Sequence, residues 1–178
     1  MVVINPCDYN QTRLATKAVA DHHGPVYLRF GRPKVPNFTP ENANFEIGKG
    51  IMLNEGSDVT IIATGHLVWE ALEAGKALNE KGISAEIINI HTIKPLDEEI
   101  ILKSAKKTGA VITAEEHQRN GGLGESVASL LSRKLPSKMD MVAVDDQFGE
   151  SGKPAELMEK YGLDASVIVD KTLQLVRS

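Results

Sequence analysis

The sequence predicts an α/β fold, a three-layer α/β/α sandwich built on a five-stranded, mostly parallel sheet. Three observations carry this expectation. Apolar runs of five or six residues alternate with stretches of helical periodicity. The run at 110–114 is continuously apolar, as a parallel strand covered on both faces should be. Glycine, or proline after a capping residue, separates one kind of segment from the other.

The elements follow in order along the chain. Residues 2–4 are a β-branched run stopped by Asn5-Pro6, and Asp8 caps a helix running to about Ala20. After the break at 21–24, residues 25–30 return to strand composition and complete a βαβ unit. Two strands and one helix leave a sheet edge uncovered, so this unit is expected to belong to a larger sheet. Pro33, Pro36 and Pro40 with little apolar periodicity read as an extended linker, and a boundary is placed there. Residues 1–36 and 45–178 are then two units joined by 37–44.

From Phe45 the alternation becomes regular, with strands at 45–53 and 59–64 about a turn at 54–57. Gly65 opens a helix whose inner face is Leu67, Ala71, Ala74 and Leu78, closed by Gly82. A strand at 85–90 precedes a helix that Pro95 and Asp97 begin, with Ile100, Ile101 and Ala105 facing inward and Gly109 ending it. The strand at 110–114 leads into a polar, glycine-rich loop at 115–124, then a helix carrying Val127, Leu130 and Leu131, then a last strand at 139–144. Two helices, 154–161 and about 165–176, finish the chain.

Composition narrows the function classes. The chain has 178 residues, 42% of them hydrophobic, and 20 basic against 24 acidic residues spread without a basic block, which argues against a nucleic-acid partner. No run approaches the roughly 20 apolar residues of a membrane span, and the N-terminus lacks the charged and apolar regions of a secretory signal. Cys7 is the only cysteine, so no intramolecular disulfide or cysteine metal site is available and a reducing, cytoplasmic setting is expected.

Four motifs go beyond generic α/β composition: Leu28-Arg29-Phe30-Gly31-Arg32-Pro33; His91-Thr92-Ile93-Lys94-Pro95-Leu96-Asp97; Glu115-Glu116-His117 with Gly121-Gly122-Leu123-Gly124-Glu125; and Ser151-Gly152-Lys153-Pro154-Ala155-Glu156-Leu157. In this order they resemble the transketolases and their thiamine-dependent relatives. The second and third also resemble deoxyxylulose-phosphate synthase and 2-oxoacid dehydrogenase β subunits, whereas the fourth is similar to transketolase in particular. The Gly31-to-Pro36 stretch resembles the C-terminal subunit of transketolases split into two polypeptides.

The resemblance implies that residues 1–36 are the last piece of a pyrimidine-binding domain and 45–178 a transketolase C-terminal domain. It implies an enzyme that moves a two-carbon ketol unit between sugar phosphates with thiamine diphosphate and Mg2+, the cofactor serving as electron sink. Neither the thiamine-binding Gly-Asp-Gly stretch nor the activating glutamate of that family is in this sequence, so the residues given are expected to be structural and inactive alone. An N-terminal subunit or domain is the implied partner, and a homodimer the implied assembly. Among the residues, the resemblance places only Arg32 at a substrate, as a guanidinium gripping the sugar phosphate. No catalytic, cofactor or metal residue is assigned.

The remaining candidates read as structural. Arg29 precedes Arg32 by three residues and would face the other way along a continued strand. The glycines at 121, 122 and 124 open a helix as a phosphate cradle would, the basis of an alternative reading as a nucleotide-binding regulatory module, but Glu116 and Glu125 flank them and would repel a phosphate. Glu115 and Glu116 point to opposite faces if extended, so they are no acid/base pair. His117 reads as a hydrogen-bonded structural residue, His22 and His23 as a solvated helix end, and His66 and His91 as isolated residues at element ends.

Overall fold

The computed structural model of the chain describes residues 1–177. Strands β1 (Val2–Ile4) and β2 (Val26–Leu28) pair in parallel across helix α1 (Tyr9–Ala20), as the βαβ reading requires. Asp8 caps α1 by accepting the Gln11 amide at 2.9 Å. Its carboxylate also accepts the amides of Phe38 and Thr39, at 2.9 and 2.7 Å, and the Thr39 hydroxyl at 2.7 Å. The beginning of the 37–44 stretch is therefore tied to α1 through one buried carboxylate, and Asn10 adds a bond to the Thr39 carbonyl.

The main sheet contains β3 (Ile51–Asn54), β4 (Val59–Ala63), β5 (Ala85–Asn89), β7 (Ala110–Gln118) and β8 (Lys138–Val144) in the order β3-β5-β4-β7-β8. All neighbours are parallel except β3, which runs antiparallel to β5. Helices α2 (Leu67–Glu80) and α6 (Ala165–Arg177) cover one face, and α3 (Glu98–Thr108) and α4 (Leu123–Lys134) the other. Short α5 (Pro154–Lys160), with proline in its first turn, precedes α6. Adjacent Ile61 and Ile62 of β4 enter opposite cores because side chains alternate across a strand. Leu67, Ala71, Ala74 and Leu78 are all fully buried on α2, the face their spacing predicted.

Three differences from the sequence reading have physical causes. Strand β3 begins at Ile51 rather than at 45; residues 45–50 are irregular, because Gly50 donates its amide to Asp97 at 2.8 Å and Phe45 stacks on His91 at 4.2 Å. Between His91 and Asp97 lies β6 (Thr92–Lys94), which pairs antiparallel with β1 and makes a second sheet, β2-β1-β6. Three residues carry no periodic signal, and only the open edge of β1 gives this strand a partner. Strand β7 continues past Ala114 to Gln118, still reaching β8 through the Gln118–Val144 pair after an irregularity. The polarity that marked residues 115–118 as loop belongs to side chains satisfied by neighbouring elements.

Two consequences are measurable. Asp8→Ala strands main-chain donors of two segments and should lower stability by about 2–4 kcal/mol in urea unfolding. His91 is buried, with Nδ1 at 2.9 Å from the Thr92 hydroxyl, and burial pushes its pKa down to about 4 against a smaller opposing pull from Asp97. The unfolded chain takes up a proton near the ordinary 6.5 whereas the folded chain waits until about 4. Stability from this group is thus complete above 6.5 and is lost as pH falls toward 4, by on the order of 3 kcal/mol. His91→Gln should show a correspondingly smaller acid loss in parallel urea titrations at pH 7 and 4; equal losses would contradict a neutral buried imidazole.

Candidate functional site

The end of β7 distributes three consecutive polar residues between two sides of the sheet. Glu115 turns toward α4, where its Oε2 accepts the Leu123 amide at 2.8 Å and its Oε1 the Gly124 amide at 2.7 Å. The carboxylate lies so close to Gly122 that any β-carbon there would overlap it. Glu125 closes the loop from the helix side by accepting the Gly121 amide at 2.6 Å. Burial pushes the Glu115 carboxyl pKa up, opposed by the two amides and by Arg29. The donors that would hold a phosphate at this helix entrance therefore already hold carboxylates, so the loop is no nucleotide cradle.

His117 lies on the same side as Glu115, with Nδ1 at 3.0 Å from the Arg29 guanidinium. Arg29 can only donate, so Nδ1 accepts and the ring proton sits on Nε2, which is buried without a partner among the described residues. Burial lowers the Arg29 pKa, against the pull of Tyr27, Glu116 and Glu115. Arg29 thus joins the end of β2 to the end of β7, the structural role read from the sequence.

Glu116 points the other way and meets His66, Nδ1 to Oε2 at 2.8 Å. His66 stands at the start of α2 with its side chain only 13% exposed. Its ring also presses on Gly31, where an added β-carbon would overlap Cε1 and Nε2. This pair is the site feature that the sequence reading missed, because the partners are fifty positions apart and no local pattern links them. The adjacent Arg32 is exposed, and no hydrogen bond or ion pair with the described residues occupies its guanidinium. It borders a groove of about 580 Å³ with Lys34, His66, Trp69, Glu116 and Met158. Residues of the fourth motif, among them Gly152, Pro154 and Leu157, form the far wall.

The other candidates lie elsewhere. His22 and His23 are exposed beyond α1. The Cys7 thiol is buried, its pKa pushed upward by that burial, and it accepts from Asn89 at 3.3 Å, which describes an inert residue. The groove offers two cationic side chains at its mouth, Arg32 and Lys34, and so has the chemistry to hold an anionic group.

The family model for the transketolase C-terminal domain matches residues 48–168. A 6-deoxy-6-sulfo-D-fructose transketolase subunit of Clostridium sp. (strain MSTE9) is 47% identical over 169 residues, 95% of this chain and 52% of that protein. One of the subunits of an apulose-4-phosphate transketolase of Phocaeicola vulgatus is 42% identical over 179 residues, 99% of this chain and 57% of that protein. The chain thus spans about half the length of these curated relatives. A solved structure described as a split gene transketolase, an inactive β4 tetramer, superposes with a TM-score of 0.96 at 45% identity, covering 99% of this chain and 58% of that one.

Removing the Glu115 carboxylate tests its place in this site. Glu115→Ala leaves two amides of the α4 entrance without acceptors and should cost about 2–3 kcal/mol, read as a lower urea midpoint with an unchanged slope.

Proposed function

The chain belongs to the transketolase C-terminal domain family, and we propose that it is the C-terminal portion of a thiamine-diphosphate-dependent transketolase moving a two-carbon ketol unit between sugar phosphates. The observation that carries this reading is the match of nearly the whole chain, fold and sequence together, to a split transketolase. The relatives named as subunits support an N-terminal partner polypeptide. A cytoplasmic enzyme that assembles through a homodimer is part of the same proposal.

Thiamine diphosphate and Mg2+ belong to the complete enzyme in this reading. The residues present here do not make a site for them. No group of three or more His, Cys, Asp or Glu side chains suited to a metal ion occurs among the described residues. The glycine-rich helix entrance has its amides engaged by Glu115 and Glu125. This part of the enzyme is accordingly structural and inactive alone, and the reaction itself is assigned to the partner polypeptide and the upstream domain.

Arg32 is the residue we connect to substrate. The substrates in the names of the two relatives, a 6-sulfo sugar and a 4-phosphate sugar, share an anionic group, and an exposed guanidinium at a groove mouth suits either. Which sugar this protein uses is a finer matter, and a phosphorylated one is proposed.

The test is reconstitution of the full-length C-terminal polypeptide with its N-terminal partner, thiamine diphosphate and Mg2+, and assay of ketol transfer from a ketose phosphate to an aldose phosphate. Transfer is expected with both polypeptides and with neither alone; no transfer from the stoichiometric complex would end the reading. In the same enzyme Arg32→Ala should raise KM for the phosphorylated substrate about 10- to 100-fold while changing KM for an unphosphorylated donor about twofold or less. Equal effects on both would return Arg32 to the general surface.

A further inference from the structure

Arg32 is exposed and has no hydrogen-bond or ion-pair partner among the described residues, so nothing at its own side chain determines where the guanidinium stands. A flexible arginine gives up much of its rotamer entropy on binding, and a backbone that already aims it reduces the reorganisation required. The residues flanking Arg32 supply that backbone. Pro33 has a ring-locked φ on one side. On the other side Gly31 is wedged against the His66 imidazole, with no room for a β-carbon between them.

The imidazole is fixed in turn. Glu116 holds Nδ1 at 2.8 Å, and Glu116 is itself held by the backbone of β7, which is paired with β4 and β8 in the middle of the main sheet. A continuous line of contacts therefore runs from the core of the sheet through Glu116, His66 and Gly31 to Arg32. The segment 31–35 passes between two cavities, one bounded by Cys7, Asp8 and Tyr9 and the other being the groove of Arg32, and His66 lines both. It is the side chain on which that strap rests.

We infer that the His66–Glu116 pair is a positioning element, which seats the strap at Gly31 and thereby sets the affinity of Arg32 for the anionic group of the sugar. The inference rests on the reading of Arg32 given above. His66 touches no substrate in this scheme; it acts through the backbone.

The reconstituted enzyme tests it through a split between KM and kcat. His66→Ala should raise KM for the phosphorylated substrate about tenfold, leave kcat within about twofold, and leave KM for the unphosphorylated donor within about twofold. His66→Gln, which keeps an N–H for Glu116 and most of the volume under Gly31, should restore KM to within about threefold of the parent. Gly31→Ala should raise KM as His66→Ala does, and the double variant Gly31→Ala/His66→Ala should be no worse than His66→Ala, since removing the ring makes room for the new methyl group. Additive losses in the double variant would overturn the wedge. If Gly31→Ala does not yield folded protein, the comparison of His66→Ala with His66→Gln decides alone. Should Arg32→Ala raise KM while His66→Ala does not, the positioning role is wrong and the reading of Arg32 stands. Should neither change KM, the reading of Arg32 fails first. A loss by His66→Ala that falls equally on both substrates would mark general structural damage and would also overturn the inference.

Discussion

The two-residue period of a β-strand, carried past the apolar part of β7, governs how the whole site is put together. Because successive side chains leave a strand on opposite sides, Glu115 and Glu116 cannot serve the same neighbour. One reaches the amides at the entrance of α4 and the other reaches His66 at the entrance of α2. A strand that ended at Ala114 would leave both helices without these acceptors and His117 without Arg29. The single extension therefore organises α4, α2 and the end of β2 together.

Carboxylates buried against main-chain amides recur through the molecule. Asp8 joins α1 to residues 38 and 39, Asp97 joins the start of α3 to Gly50, and Glu115 joins β7 to α4. In each case a helix entrance that would otherwise expose unsatisfied donors receives an acceptor from, or shares it with, a segment distant in sequence. Such a contact is costly to half-break, because the amides stay buried when the carboxylate is removed. That asymmetry explains why irregular stretches such as 37–50 hold a definite course without strand or helix of their own. The antiparallel pairing of β6 with β1 does similar work by main-chain bonds, tying the N-terminal βαβ unit to the body of the chain.

The groove beside Arg32 is assembled from parts that do not belong together in sequence. The strap after β2 contributes Arg32 and Lys34, the start of α2 contributes His66 and Trp69, β7 contributes Glu116, and the far wall comes from the fourth motif and α5. Membership of the transketolase C-terminal domain family accounts for the framework. The cationic mouth is the part of that framework with chemistry directed outward, whereas the interior of the chain, with its inert thiol and neutral histidine, is devoted to packing.

The class of fold, the order of its principal elements and the covered faces of its helices were all legible in the amino-acid order. Each follows from local spacing: Leu67, Ala71, Ala74 and Leu78 face one way on any helix, and residues 110–114 suit any strand buried on both sides. The capping roles of Asp8 and Asp97 were legible too, since a cap acts on amides two or three residues away. The four motifs carried the family and singled out Arg32. It took the folded chain to establish that β7 runs on to Gln118, that Thr92–Lys94 forms a strand, and that His66 meets both Glu116 and Gly31. The reason is common to all three: a polar residue at a strand end, a three-residue strand and an ion pair between distant positions are defined by their partners, and no local pattern in the chain says where those partners will stand.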